Sequence, residues 1–177
     1  MKILEQAFSK IKPVRKNTYN FFLKLIEGLI GTMGKRTFRN MARFMQIDEH
    51  TFSRQMEKPL DFLGINTELI LALKSEDDVL IAAQDASFVH KSGKETYGID
   101  YHWNGTAGRA EKGLEVNLIA AVKINGKKEG YALLVDQTPT NQLSKAERKN
   151  KKTTDFSKID FCVEQVKKCW QRFFLSA

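Results

Sequence analysis

An acidic residue at the end of an apolar run is the strongest chemical signal in this sequence. Asp85 follows the apolar run from Val79 to Ala83 and precedes a polar segment that begins at Ser87. The run predicts a buried strand, and a carboxylate that a strand carries to the edge of a sheet is fixed in a position to bind a metal ion.

The segment after Asp85 adds a second pattern. It runs from Lys91 to Gly98, continues with Trp103-Asn104-Gly105, and ends with residues 108 to 115. Over residues 79 to 135 this pattern resembles the region around the first catalytic aspartate of bacterial insertion-sequence transposases of the DDE superfamily, which have an Asp-Asp-Glu triad. The resemblance covers the first catalytic position only, so the chain resembles the N-terminal part of such an enzyme.

The resemblance implies a role for Asp85 as a catalytic residue and a metal ligand in DNA cleavage and strand transfer. In such reactions two Mg²⁺ or Mn²⁺ ions, held mainly by carboxylates, stabilise the attacking and leaving oxygens, and the resemblance implies these ions only for the complete active site. The second aspartate and the glutamate of the family lie beyond the matched region, so we expect no catalysis by this chain alone. Asp136 and Glu115 are the other acids near the predicted sheet, and we expect structural roles for both.

The polar segment between the predicted strands contains candidate contacts with DNA. Arg109 and Lys112 are the strongest candidates for binding a DNA phosphate, since a guanidinium can donate two hydrogen bonds to one phosphate. Lys91 and Lys94 could also contact DNA, and the alternative is that they are ordinary solvated lysines. His102 and Trp103 could stack on an exposed base, and the alternative for the tryptophan is packing in the core.

Composition favours an anionic partner in a reducing compartment. The 177 residues carry a net charge of +8, which favours double-stranded DNA, although a merely soluble basic protein has the same charge. Cys162 and Cys169 fall in one predicted helix, too far apart for a disulfide, and two thiols do not make a zinc site. No secretory signal or membrane-spanning stretch is evident, so we expect a cytoplasmic protein without a membrane partner. The sequence also leaves open whether the chain forms a homo-oligomer.

Helical periodicity dominates the chain up to about residue 75. Thr18 predicts the cap of one helix, and two shorter helices follow over Thr37–Met45 and from Glu49 to about Lys58. Two short helices joined by a tight turn are typical of a helix-turn-helix motif, although this turn lacks the usual glycine. A small structural bundle is the alternative. The candidate DNA contacts have basic or hydrogen-bonding side chains: Arg36, Arg39, Arg43, Thr51, Arg54, Gln55 and Lys58.

From Val79 onward the pattern predicts strands, over Val79–Ala86, Leu114–Ile124 and Gly130–Val135, with Asn125-Gly126 as a hairpin turn. A helix is predicted after Ser157. Its apolar stripe is expected to dock on the sheet and consists of Ile159, Cys162, Val163, Val166, Cys169, Trp170 and Phe173.

The predicted fold class is α/β with two domains. Residues 1–76 form an all-α helix-turn-helix domain, and residues 77–177 form the first strands and helix of an incomplete ribonuclease H-like mixed sheet, the fold that the resemblance implies. If further strands belong to that sheet, the first strand should lack a neighbour on one side and the helical stripe should be incompletely buried.

Two other functions stay open. The chain could be a non-enzymatic DNA-binding regulator, or a transposase remnant that competes for element ends. It could also be a ribonuclease H-like nuclease unrelated to transposition, which would require further acids around Asp85.

Overall fold

The computed structural model describes residues 2–11, 13–93, 96–139 and 158–174, without the side chain of residue 174. The chain divides into two compact units, Met1–Asp61 and Phe62–Ala177. The predicted boundary lay after residue 76. The difference is the helix Phe62–Leu73, which belongs to the second unit because it packs on the sheet, where Asn66 Nδ2 donates a hydrogen bond to the Leu133 carbonyl at 3.0 Å.

The first unit is all-α. Its helices are α1 (Lys2–Lys10), α2 (Lys16–Gly31), α3 (Phe38–Phe44) and α4 (Glu49–Met56). Phe52 of α4 is 0% exposed, and its ring lies 5.4 Å from that of Phe21 and 5.1 Å from that of Phe38. These edge-on and tilted aromatic contacts hold α2, α3 and α4 around one core residue.

The two short helices begin at side-chain caps. The Thr37 hydroxyl accepts a hydrogen bond from the Asn40 amide at 3.3 Å, and Asp48 Oδ1 accepts one from the Thr51 amide at 3.0 Å. The bond from Thr51 holds the pKa of Asp48 below its usual value. In the turn between the helices, Gln46 has φ 54°, the left-handed conformation that glycine usually provides. The missing glycine of the predicted turn is thus replaced by a glutamine that tolerates this conformation at some cost in strain.

The second unit combines helices with a four-stranded sheet. Its elements are α5 (Phe62–Leu73), β1 (Leu80–His90), β2 (Asp100–Asn104), β3 (Arg109–Lys123), β4 (Glu129–Gln137), α6 (Lys158–Cys169) and a π-helical turn (Trp170–Phe174). β3 is central, with β1 along one side and β2 and β4 along the other. All three pairings are antiparallel, so the described strands contain no parallel pair of the kind a mixed sheet requires.

The three predicted strands are present, and β2 is a fourth within the polar segment. The predicted Asn125-Gly126 turn joins β3 to β4, with Gly126 at φ 66°. The Asn125 side chain also ties the start of β1 to this hairpin, accepting a hydrogen bond from the Val79 amide at 2.9 Å. The prediction that this chain combines helices with strands is therefore confirmed.

The two faces of the sheet differ in cover. α5, α6 and the π-helical turn pack on one face, here called the helix face, around Ile119, Ala121 and Leu133, which are at most 1% exposed. The opposite face, here called the open face, has no described helix against it and carries alternate residues of each strand: Ile81, Asp85, Val89, Tyr101, Trp103, Lys112, Leu118 and Val135.

The predicted stripe of α6 is only partly buried. Phe161, Gln165 and Cys169 face the sheet, whereas Ile159 and Val163 are 73% and 44% exposed. The helix docks on the sheet as predicted, through residues four apart from Phe161 to Cys169 that contact β3 and β4. Its stripe is incompletely buried, as expected if further strands belong to the sheet. Burial also raises the pKa of the Cys169 thiol to about 11, which fits a packing role for that cysteine.

None of the described helices has the length and apolar character needed to cross a membrane.

Replacement of Gly113 by alanine is expected to loosen the pairing of β1 with β3. An added Cβ would lie 2.5 Å from Phe88 Cε2 and 2.5 Å from the Val89 carbonyl oxygen, so β1 must shift. Such overpacking costs about 1–3 kcal/mol, measurable as a lower urea midpoint. Gly130→Ala in β4 is the matched control, since its Cβ would meet no atom within 4 Å. Equal midpoints for the two variants would contradict this close packing.

Candidate metal-binding and nucleic-acid-binding residues

Asp85 lies at the centre of β1, with its side chain on the open face. It pairs across the sheet with Leu118, which pairs in turn with Val135 of β4. The neighbouring residue, Gln84, points to the other face, where its Nε2 donates a hydrogen bond to the Cys162 carbonyl at 3.5 Å. The Asp85 carboxylate is therefore exposed on an apolar surface, in the middle of a strand rather than at its end.

The other acids of the sheet do not join Asp85. Glu115 and Asp136 lie on the helix face, where Glu115 pairs with Lys158 of α6 and Asp136 accepts a hydrogen bond from Gln165. Among the described residues, no group of three histidine, cysteine or acidic side chains could hold a metal ion. A site with two ions needs several carboxylates, so the described residues do not fit one, and Asp85 can supply a single ligand.

Glu115 belongs to a buried polar cluster between the sheet and α6, which the sequence did not suggest as a group. Lys158 Nζ lies 2.6 Å from Glu115 Oε2, and His102 Nδ1 lies 4.0 Å from the same oxygen. Asn117 and Gln165 are each 2% exposed, and within the described part of the chain neither Asn117 side-chain polar atom has a partner. Such groups usually bind ordered water. The sequence signal that could have indicated this cluster is the pair Glu115 and Asn117, two polar residues at alternate positions of the otherwise apolar part of β3.

The outer edge of β1 has no partner strand among the described residues. β1 pairs with β3 and with no other described strand, although it is 11 residues long and contains only Asp85 and His90 as titratable residues. Exposed edges are normally short, charged or covered. Beside this edge, a groove of about 380 Å³ separates β1 from α6. It is lined by Gln84, Lys158, Ile159, Cys162, Val163, Val166 and Lys167.

Arg109 and Lys112, two candidate contacts of the polar segment, lie on opposite faces of the β2–β3 hairpin. Lys91 and Lys112 are exposed, and Lys112 lies on the open face opposite Tyr101. Arg109 instead forms an ion pair with Glu111 on the other side of the β2–β3 hairpin, with Nη2 2.7 Å from Oε1. Hydrogen bonds from Asn104 and Arg109 hold the pKa of Glu111 below its usual value, so this pair is maintained at neutral pH. Lys94 lies outside the described residues.

The aromatic pair predicted for this segment is split between the two faces. The His102 side chain is 12% exposed and belongs to the buried polar cluster. Trp103, the next residue, is 65% exposed on the open face, and Tyr101 beside it is 70% exposed. Core packing of the tryptophan, the alternative in the sequence, is therefore excluded.

The helix-turn-helix candidates form an exposed basic surface on the first unit, with some side chains already engaged. Arg39 Nε lies 3.2 Å from Glu49 Oε2, and Arg54 Nη2 donates a hydrogen bond to the Thr51 hydroxyl at 3.3 Å. Arg36 donates to the Leu29 carbonyl at 2.9 Å. Gln55 is partly buried, which limits its reach. Arg43 and Lys58 are exposed.

No family model, curated protein or solved structure matches this chain.

Proposed function

We propose that this chain is the N-terminal part of a DDE transposase. It binds double-stranded DNA, at element ends, through the α3–α4 pair, and in the full-length protein it contributes Asp85 to metal-dependent DNA cleavage and strand transfer. The observation that carries the proposal is the setting of Asp85, an exposed carboxylate at the centre of an edge strand whose outer side is free. The likeness of residues 79 to 135 to the transposase motif adds to it.

Two further surfaces support a catalytic domain that extends beyond the described elements. The open face leaves Val135 58% exposed, and α6 leaves Ile159 73% exposed beside the groove at β1. Both surfaces border the free edge of β1. A strand paired with that edge, with a helix over the groove, would cover Ile159 and would bring new side chains next to Asp85.

The first unit supports binding to DNA. Its α3 and α4 are short, capped helices joined by a tight turn at Gln46, and a helix of this size fits the major groove. Exposed Arg43 and Lys58, together with a chain charge of +8, suit a polyanion. Arg39 would exchange its partner Glu49 for a phosphate, or stay as a structural contact.

The described residues provide too few ligands for the cleavage reaction. Mg²⁺ or Mn²⁺ in a complete site would stabilise charge on the phosphodiester oxygens, whereas Asp85 alone holds at most one weakly bound ion. We therefore assign DNA binding to this chain and cleavage to the full-length protein.

Asp85→Asn should leave the duplex affinity within about twofold of the wild type, since its single charge lies outside the helical unit. Neither protein should nick supercoiled plasmid in Mg²⁺ or Mn²⁺, because one ligand does not build the site. Asp136→Asn is the matched control, an acid of the same sheet on the helix face. Nicking by the wild type that survives in Asp85→Asn would exclude the proposed role of Asp85.

The main alternative is a non-enzymatic DNA-binding regulator or transposase remnant, favoured by the absence of a three-residue metal group among the described residues. The coding DNA downstream of the Ala177 codon separates the two. A reading frame for an apolar strand that ends in aspartate, in frame or after a slip, supports the transposase. The absence of such a strand from all three frames contradicts it and favours the regulator.

A further inference from the structure

We propose that the open face of the β2–β3 hairpin is a binding site for single-stranded DNA, on which unpaired bases stack against Tyr101 and Trp103 while Lys112 holds a backbone phosphate. The inference rests on the proposed function and deepens it, because it names an unpaired strand as a second ligand of the catalytic unit. The site is separate from the duplex-binding helices.

The exposure of the two rings is the first observation. Tyr101 and Trp103 are 70% and 65% exposed, although aromatic side chains of this size usually bury most of their surface. They stand two residues apart on one strand, so they lie about 7 Å apart on the same face. Aromatic rings at alternate positions of a sheet are a common way to stack successive unpaired bases.

The charges around the rings favour a polyanion. Lys112 pairs directly with Tyr101 across the hairpin, and exposed Lys91 follows the end of β1. The acids of the hairpin are turned to its other face, where Glu111 is held by Arg109. Asp100 accepts a hydrogen bond from the Tyr101 amide at 2.8 Å, which occupies one of its oxygens. Within the described hairpin, the open face therefore carries two aromatic rings and a lysine, and no acidic side chain lies on it.

The site is displaced from the candidate catalytic residue. Tyr101 pairs with Lys112, whereas Asp85 pairs with Leu118, six positions farther along β3. At the rise of a strand this is about 20 Å. A single DNA strand whose bases reach the two rings would therefore have a phosphate several nucleotides away at Asp85. The rings would accordingly bind an unpaired DNA segment that flanks the cleavage site, and not the cleaved phosphodiester itself.

The test compares two ligands on the same protein. Fluorescence anisotropy would measure binding of a labelled 12-residue oligothymidylate and of a blunt 20-base-pair duplex. Trp103→Leu should weaken binding of the oligothymidylate about 5- to 100-fold, the effect of one lost stacking contact, and should leave duplex binding unchanged. Trp103→Phe should retain most of the affinity, because the phenyl ring keeps a stacking face. Trp170→Leu is the matched control, an exposed tryptophan of the same unit at the end of α6.

Each outcome decides between the two proposals. An unchanged oligothymidylate affinity in Trp103→Leu would overturn the stacking site, as would an equal loss of affinity for both DNA forms or an equal loss in Trp170→Leu. Wild-type protein that binds the duplex but not the oligothymidylate would refute this site and leave the proposed function standing. Binding of the oligothymidylate alone would support this site and contradict duplex recognition. Binding of neither would refute both.

Discussion

Phe52→Ala is expected to unfold the first unit under conditions in which the wild type is folded. The Phe52 side chain is fully buried between the rings of Phe21 and Phe38. Loss of a buried phenyl ring costs about 3–5 kcal/mol, and a core of this size rarely supplies more than about that much in total. Duplex binding should be lost with the fold of this unit.

Circular dichroism and intrinsic fluorescence would separate the two units. The chain has two tryptophans, Trp103 and Trp170, and both belong to the second unit, so their emission should stay unchanged while helical signal is lost. Phe44→Ala is the matched control, because Phe44 is 51% exposed, so removal of its ring should cost clearly less than removal of the fully buried Phe52 ring. A loss of helical signal in both variants, or in neither, would be inconsistent with a core centred on Phe52.

Duplex binding by the wild type should weaken about 100-fold between 50 and 200 mM salt. Contacts with about four phosphates release counterions, which gives a slope near −3.6 in a plot of the logarithm of affinity against that of salt. Arg43→Gln and Lys58→Gln should each weaken binding and reduce the slope by about one, because each removes one exposed cation next to α3 or α4.

A control variant distinguishes local contacts from net charge. Lys24→Gln removes the same charge from α2, outside the α3–α4 pair, and should keep the wild-type slope. A slope that falls equally in all three variants would mean that the protein attracts DNA through its overall charge of +8 rather than through α3 and α4. A flat salt dependence in the wild type would contradict DNA binding itself.

Local signals accounted for much of the fold. The two short helices lie where the sequence predicts them, with α4 capped by Asp48 and α3 capped by Thr37, which was predicted as the first residue of that helix. A cap depends only on residues within one turn of each other. The Asn125-Gly126 turn and the strand that carries Asp85 depend on equally short patterns. The domain boundary could not be predicted from local sequence, because the apolar positions of α5 do not show that this helix packs on β4.

Sequence alone determined the charge of the chain and the presence of a strand that carries Asp85, because these follow from composition and short-range periodicity. Only the tertiary structure decided which residues share a face. A strand sends successive side chains to opposite sides, so pairing with β3 placed Asp85 and Trp103 on the open face while Glu115 and His102 lie under α6. Pairing also decided that β1 has a free edge, which depends on contacts between residues far apart in the chain.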